Sequence, residues 1–369
     1  KQFGRSFDYP KYTDKYDTVE IRLKWGGVGM AYTLKDVQQD VAKQTLQPIY
    51  LIQGTDQYLL DQVRAAFVSL IPDEDRTLNL AQFDMRETAL GIAVDDARSV
   101  PFFGDRRVVI IDDAYFLTGE NPRTKLEHHV EDLLAYIEHP EPQTVLVIFA
   151  PYEKLDSRKK VVKLLKEKAA YLAFGDLTEK DVRNMINDKL RQGGSEMPGP
   201  AMQLLIRLTN MSLTQIMSEL DKLMLYAYDT KQIDEQAVDA LVTRTLSENI
   251  FDLINALLNR KLTRAVELYH ELVESGEAPL RLHAALLGQF RLLLQVKSST
   301  QSESGTASML KVNPYRVKLG RQTVRRFSYT ALAKAYLGLV DMEEQLKSTA
   351  RDPELLFELF VLRYQADIA

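Results

Sequence analysis

The sequence predicts an α/β domain followed by an all-α remainder, and three observations carry that expectation. Up to Gly175, short apolar runs at 48–52, 108–111 and 144–149 alternate with amphipathic helical segments, the pattern of a parallel, doubly wound sheet covered on both faces. From Asp176 onward no strand pattern recurs, and apolar residues keep three- and four-residue spacing to the C-terminus. The 369 residues, 45% hydrophobic and 27% charged, suit a globular chain of two or three domains.

Taken in order, residues 1–29 are rich in Tyr, Lys and Asp without an apolar period. Met30 is the expected natural start, and the segment before it reads as an upstream extension. Tyr32, Leu34, Val37 and Val41 then fit one face of a helix. The run 48–52 is a first strand ending at Gly54, and Thr55 or Asp56 can cap a helix over 59–70. Residues 78–84 alternate as a strand, 89–98 read as a helix and 108–111 as a buried strand closed by Asp112-Asp113. A helix over 126–137 and a strand over 144–149 follow. In the basic run 154–168, a helix would turn Val161, Leu164, Leu165 and Ala169 inward and its lysines to solvent. The sheet pattern ends near 173–175.

Helices then run from Leu177 to Gly193-Gly194, over 201–208, 213–226 and 230–242. Ser247 opens the helical remainder. The polar stretch 298–308 reads as a loop. Asn313-Pro314 and Asp352-Pro353 each start a helix, proline being well placed in a first turn. On the last helix Leu355, Leu356, Leu359 and Leu362 form an apolar stripe.

Composition excludes several functions. Formal net charge is −5, from 47 basic and 52 acidic residues, so nucleic-acid or acidic-membrane binding would need a local patch. The chain has no cysteine, which removes disulfides, thiolate metal sites and cysteine nucleophiles and points to a reducing cytoplasm. No apolar run approaches the roughly 20 residues of a membrane helix.

The strand-glycine-helix corner at Gly54 is where a phosphate loop would sit. That loop needs a second glycine, a lysine and a hydroxyl so that amides and an ammonium surround the phosphates. Leu59, Leu60 and Asp61 stand there instead, and a carboxylate repels phosphate. Asp112-Asp113 after a strand could hold Mg²⁺, but without phosphate-binding groups the simpler reading is a cap for the next helix. His128-His129 belong to no ligand motif and read as surface residues. No nucleophile elbow occurs. The cluster Arg316, Lys318, Arg321, Arg325 and Arg326, beside Tyr315 and Phe327, could contact a phosphate backbone or a neighbouring protein of a complex.

The unusual stretch is Val100-Pro101-Phe102-Phe103 before Gly104-Asp105. Adjacent phenylalanines cannot both continue one helix or strand face, so the pair either forms a hydrophobic corner or meets a partner.

Five segments together resemble the delta subunit family of the bacterial DNA polymerase III clamp loader. They are 48–54, 99–113, 145–165 with its VLVIFAP and KLDSRKK runs, SELDKL at 218–223 and NPYRVK at 313–318. The resemblance spans nearly all of 30–369. It implies an AAA+-like α/β clamp-binding domain at 30–175 without an ATP site, a helical lid at 176–243 and a helical collar for oligomerisation at 244–369. It also implies a non-catalytic, cofactor-free subunit of a DNA polymerase holoenzyme that binds the sliding clamp and opens its ring. In this family two adjacent hydrophobic residues after the fourth helix bind the clamp; Phe102 and Phe103 match them, with Val100 and Pro101 beside them, where some members carry Leu-Phe. The implied partners are the clamp, the ATPase and delta-prime subunits and, through the complex, primed DNA. The alternative is a stand-alone DNA-binding protein using the Arg316–Arg326 cluster.

Overall fold

The computed structural model describes residues 32–102, 104–119 and 126–368; the expected extension before Met30 lies outside them. The chain divides into two compact units at Gly175/Asp176.

In the first unit five parallel strands take the order β2-β3-β4-β1-β5. They are β1 (Ile49–Gln53), β2 (Leu80–Asp84), β3 (Arg107–Asp112), β4 (Thr144–Ala150) and β5 (Ala170–Ala173). In register, Leu51 lies between Ile148 of β4 and Tyr171 of β5. The helices are α1 (Leu34–Lys43), α2 (Gln57–Val68), α3 (Arg76–Asn79), α4 (Leu90–Ala97), α5 (Val130–Glu138) and α6 (Lys160–Lys168). Side chains alternate along a strand, so each strand feeds two cores. Leu51, Val109, Ile111, Leu146 and Ile148 pack against α4, α5 and α6 through Leu90, Val94, Leu133, Val161 and Leu165. On the other face Tyr50, Ile52, Ile110, Val147 and Phe149 meet Val37, Leu60, Val63 and Phe67 of α1 and α2. The uninterrupted apolar strands are thus explained by a sheet covered on both sides.

Several boundaries differ from the sequence reading. Leu78 and Asn79 belong to the short helix α3, and the strand begins only at Leu80. Residues 126–129 precede α5 rather than forming it. Only the second half of the basic run is helical, and it buries Val161, Val162 and Leu165, with Leu164 only partly covered. Strand β5, on the sheet's edge, had no clear signal.

The second unit contains α7 (Glu179–Gln192), α8 (Gly199–Leu208), α9 (Leu213–Tyr226), α10 (Glu235–Leu241), α11 (Leu246–Leu258), α12 (Leu262–Glu274), α13 (Pro279–Ser298), α14 (Glu303–Leu310), α15 (Pro314–Val324), α16 (Tyr329–Ser348) and α17 (Pro353–Ile368). Caps fix many starts: Thr178 and Asp181 form a reciprocal capping box, and Ser212, Asp234, Thr245, Ser302, Asn313 and Ser328 each accept from a first-turn amide. One continuous core joins Leu253, Leu257, Tyr269, Leu286, Phe290, Leu293, Leu339 and Phe357 of α11–α13, α16 and α17. The stretch read as a loop at 298–308 includes the start of α14, which runs on to Leu310 and is capped by Ser302. On α17 the inward residues are Leu356, Phe357, Phe360, Val361 and Tyr364, while Leu355 and Leu362 face solvent.

Glu248, in the first turn of α11, is buried, and one carboxylate oxygen lies 3.7 Å from Arg207 Nη1. Burial outweighs that cation and pushes its pKa up to about 7. A raised carboxyl favours the folded state fully below its unfolded pKa, and that advantage is lost as pH rises through about 7. Glu248→Gln is therefore expected to raise the melting temperature at pH 8, by at most about 3 kcal/mol of stability, and to leave it nearly unchanged at pH 4.5. Melting curves at both pH values check this; no gain at pH 8 would show that Arg207 already compensates the charge.

Candidate functional site

The connection from α4 to β3 leaves the first unit at a braced base. At its start, Tyr136 Oη donates to the Ala97 carbonyl at 3.3 Å and Thr144 Oγ1 to the Ser99 carbonyl at 3.2 Å. At its end, Arg107 grips both oxygens of Asp96 at 2.7 Å and donates to the Leu78 carbonyl at 2.6 Å, a bidentate pair that fixes α4, α3 and β3 together. Between these anchors the Phe102 amide donates to Asn79 Oδ1 at 2.9 Å. Asn79 is itself 1% exposed.

On this base Phe102 is 70% exposed and Val100 60%; Pro101 is half-buried. Phe103 lies outside the described residues. Leu78, 42% exposed, adds a further apolar group on the element that holds Asn79. Burying a phenylalanine is worth roughly 1.5–3 kcal/mol, so leaving Phe102 outward on a fixed backbone forgoes a sizeable stabilisation within the fold. Sequence reasoning missed Leu78 and Asn79 because it placed both in a strand; their role depends on α3 ending beside the loop.

The nucleotide corner is closed. Gly54 has φ +146°, and a Cβ there would stand 2.7 Å from Phe174 Cβ. The first amides of α2 face Asp56, whose carboxylate accepts from Leu59 N at 3.1 Å, so an anion already occupies the helix N-terminus. Asp112 and Asp113 do not cap a helix. Arg64 of α2 donates two bonds to Asp112, one of 2.9 Å, and its guanidinium stacks 4.4 Å from the Phe149 ring. Asp113 is held by Arg86 and by the Tyr152 hydroxyl. Both carboxylates are thereby neutralised by side chains of the fold. Among the described residues no group of three or more His, Asp or Glu is arranged to hold a metal ion.

His128 is not a surface residue. Its Nδ1 accepts from Leu90 N at 3.1 Å, capping α4 where Ala89 cannot, and its Nε2 lies 3.0 Å from the Met85 carbonyl. Burial lowers its pKa, consistent with a neutral ring that must accept at one nitrogen. His129 is exposed.

The basic residues of α15 and of the turn after it are engaged differently. Lys318 pairs with Glu179 at 2.6 Å, Arg321 donates to Thr306 Oγ1 at 3.2 Å and to the Gln301 carbonyl, and Arg325 and Arg326 are exposed. Arg316 donates to Gln289 Oε1 at 3.0 Å. Tyr315 is buried and Phe327 packs on the helical core, which takes both rings away from base stacking.

Fold and corner define a class: a five-stranded parallel α/β module whose strand-glycine-helix corner is filled by Phe174, joined to a helical unit. The family described as DNA polymerase III, delta subunit, matches residues 50–174, and the family describing the C-terminal domain of that same delta subunit matches 247–364. DNA polymerase III subunit delta of Bacillus subtilis is 37% identical over 332 residues, covering 89% of this chain and 96% of that protein. The probable DNA polymerase III subunit delta of Aquifex aeolicus is 21% identical over 240 residues, covering 63% of this chain and 66% of that one. The solved Bacillus subtilis DNA clamp loader delta protein superposes with a TM-score of 0.70 at 36% identity, covering 90% of this chain and 99% of that structure. The chain belongs to the DNA polymerase III delta subunit family, and its work lies in DNA replication.

Proposed function

We propose that the chain binds the ring-shaped sliding clamp through Val100, Pro101, Phe102 and Phe103 and holds one ring interface open for loading onto primed DNA. It acts without catalysis of its own, and ATP is used by the ATPase subunits of a loader that also contains a delta-prime subunit. In this reading 30–175 is the clamp-binding domain, 176–243 the lid and 244–369 the collar that meets the other subunits, and a cytoplasmic location follows from the role.

The observation that supports it most is an aromatic side chain held outward on a loop whose base is hydrogen-bonded at four places. A preorganised anchor binds without first ordering its loop. Opening a ring requires better affinity for the open form than the closed one, about 5.5 kcal/mol to move it from 1% to 99% open. The same loop can supply part of that difference if its target pocket is widest in the open ring.

Gel filtration of the chain with the sliding clamp of its own organism tests the reading: a stoichiometric complex is expected, and separate elution at micromolar concentrations would refute it. Tight, steeply salt-dependent DNA binding by the isolated chain would favour the stand-alone DNA-binding alternative. Asn79→Ala removes the acceptor of the Phe102 amide and is expected to cost about 1–2 kcal/mol of stability. It should also weaken clamp binding several-fold by loosening the loop. Calorimetric melting and clamp titration measure the two effects separately, and unchanged clamp affinity would show that Asn79 does not position the anchor.

A further inference from the structure

Within the helical unit, α11, α13 and the α14–α15 turn enclose a cleft of about 410 Å³. Its lining is mixed: Leu246 of α11 and Leu310 and Val312 of the α14–α15 turn supply partly exposed apolar surface, beside Ser247, Gln289 and Gln295. Gly288 lines it, and a Cβ at that position would meet nothing within 4 Å. The cleft contains one charged group, the Arg316 guanidinium.

Arg316 differs from its neighbours on α15. Lys318 has Glu179 and Arg321 has two oxygen acceptors, whereas Arg316 is bonded to the neutral carboxamide of Gln289. Among the described residues no carboxylate pairs with it. A guanidinium drawn out of water without an opposite charge is unfavourable, and an incoming anion relieves that cost. Burial also lowers the Arg316 pKa, in keeping with a partly desolvated cation.

The chemistry of the cleft selects its occupant. A nucleic-acid backbone presents closely spaced phosphates and needs several cations in line, but here one cation stands among aliphatic side chains. Gln289 and Gln295, also in the lining, offer both donors and acceptors to a peptide backbone. We propose that the cleft docks a short segment of a partner protein carrying one Asp or Glu beside apolar side chains. The carboxylate pairs with Arg316, and the apolar side chains lie against the partly exposed Leu246, Leu310 and Val312. This site is independent of the Phe102 loop and stands or falls separately from clamp binding.

A random heptapeptide display library, selected on the immobilised full chain, tests it. Enrichment of peptides with one acidic residue adjacent to Leu, Ile, Val, Met or Phe is expected. A selected peptide should bind at least tenfold more weakly when its acidic residue is made the amide, and equally weakly to Arg316→Met. Gly288→Leu, which fills the open space without entering the core, should abolish binding while circular dichroism and melting remain those of the folded chain; it also serves if Arg316→Met does not fold. Absence of acidic enrichment, or peptides that bind both variants like the parent, would overturn the proposal. So would displacement of a selected peptide by duplex DNA at lower concentration than by its own free form, or an Arg316-dependent dimer in sedimentation, which would assign the cleft to nucleic acid or to a second copy.

Discussion

Replacing Phe102 and Phe103 together by alanine is expected to lower sliding-clamp affinity by roughly thirty-fold or more, and Phe102→Ala alone to leave the melting curve of the chain unchanged. The magnitude follows from anchor residues at interfaces, whose truncation costs about 2 kcal/mol or more, and tenfold in affinity corresponds to about 1.4 kcal/mol. Unchanged melting follows from exposure: Phe102 contributes little to either sheet core, so its removal leaves no cavity. Phe102→Ala alone should give most of the loss. Tyr226→Ala, an equally exposed aromatic in the helical unit, is the control that separates a specific anchor from general surface hydrophobicity. Titration by surface plasmon resonance at fixed salt measures all three variants. If the double variant captured the clamp as well as the parent, clamp binding would have to be assigned to another surface.

The parts of this fold that were legible in the sequence are those fixed by burial on two sides or by caps. The strands β1, β3 and β4 are continuous apolar runs because helices cover both faces, and α15 and α17 start at the Asn313-Pro314 and Asp352-Pro353 signals. Elements that depend on distant partners were not legible. Strand β5 is four residues at the sheet edge with only alternate positions buried, too short to stand out against its lysine-rich approach. Helix α14 has the Ser, Thr and Gly of a loop, and it forms because Ser302 caps it and Thr306 and Ala307 are buried against the core. The inner face of α17 is set by Leu356, Phe357, Phe360, Val361 and Tyr364, with Tyr269 stacked on Phe357 at 4.1 Å between ring centres, and not by Leu355 and Leu362.

The candidate site was half legible for the same reason. Adjacent phenylalanines after a proline are visible in one dimension, whereas the support from Asn79, Arg107, Tyr136 and Thr144 comes from four separate segments. His128 and the Asp112-Asp113 pair were misread because their partners, Leu90, Arg64 and Arg86, lie on other elements. Composition can suggest that a polar group is available; only the fold decides whether another part of the chain has already engaged it.

Gly54→Ala is expected to destabilise the first unit by about 3 kcal/mol or more, and the reason separates a packing glycine from a phosphate-loop glycine. In a phosphate loop glycine lets the backbone wrap an anion. Here Gly54 N donates to the Ala150 carbonyl at 3.3 Å and Phe174 N to the Gln53 carbonyl at 2.7 Å, which draws Phe174 across the end of β1. A methyl group would meet Phe174 Cβ at 2.7 Å and its carbonyl oxygen at 3.0 Å, on a backbone whose φ of +146° suits only glycine. Strain of this kind costs of order 1–3 kcal/mol and overpacking typically another 1–3 kcal/mol. A unit of this size should lose about 2–4 °C per kcal/mol, giving a fall of roughly 6–12 °C for the first transition in calorimetry. Millimolar Mg-ATP should shift neither the parent nor the variant, because Asp56 already caps the amides a phosphate would need. A variant that melted with the parent would mean that Phe174 can withdraw from Gly54 at no cost, and the corner would then be open rather than filled.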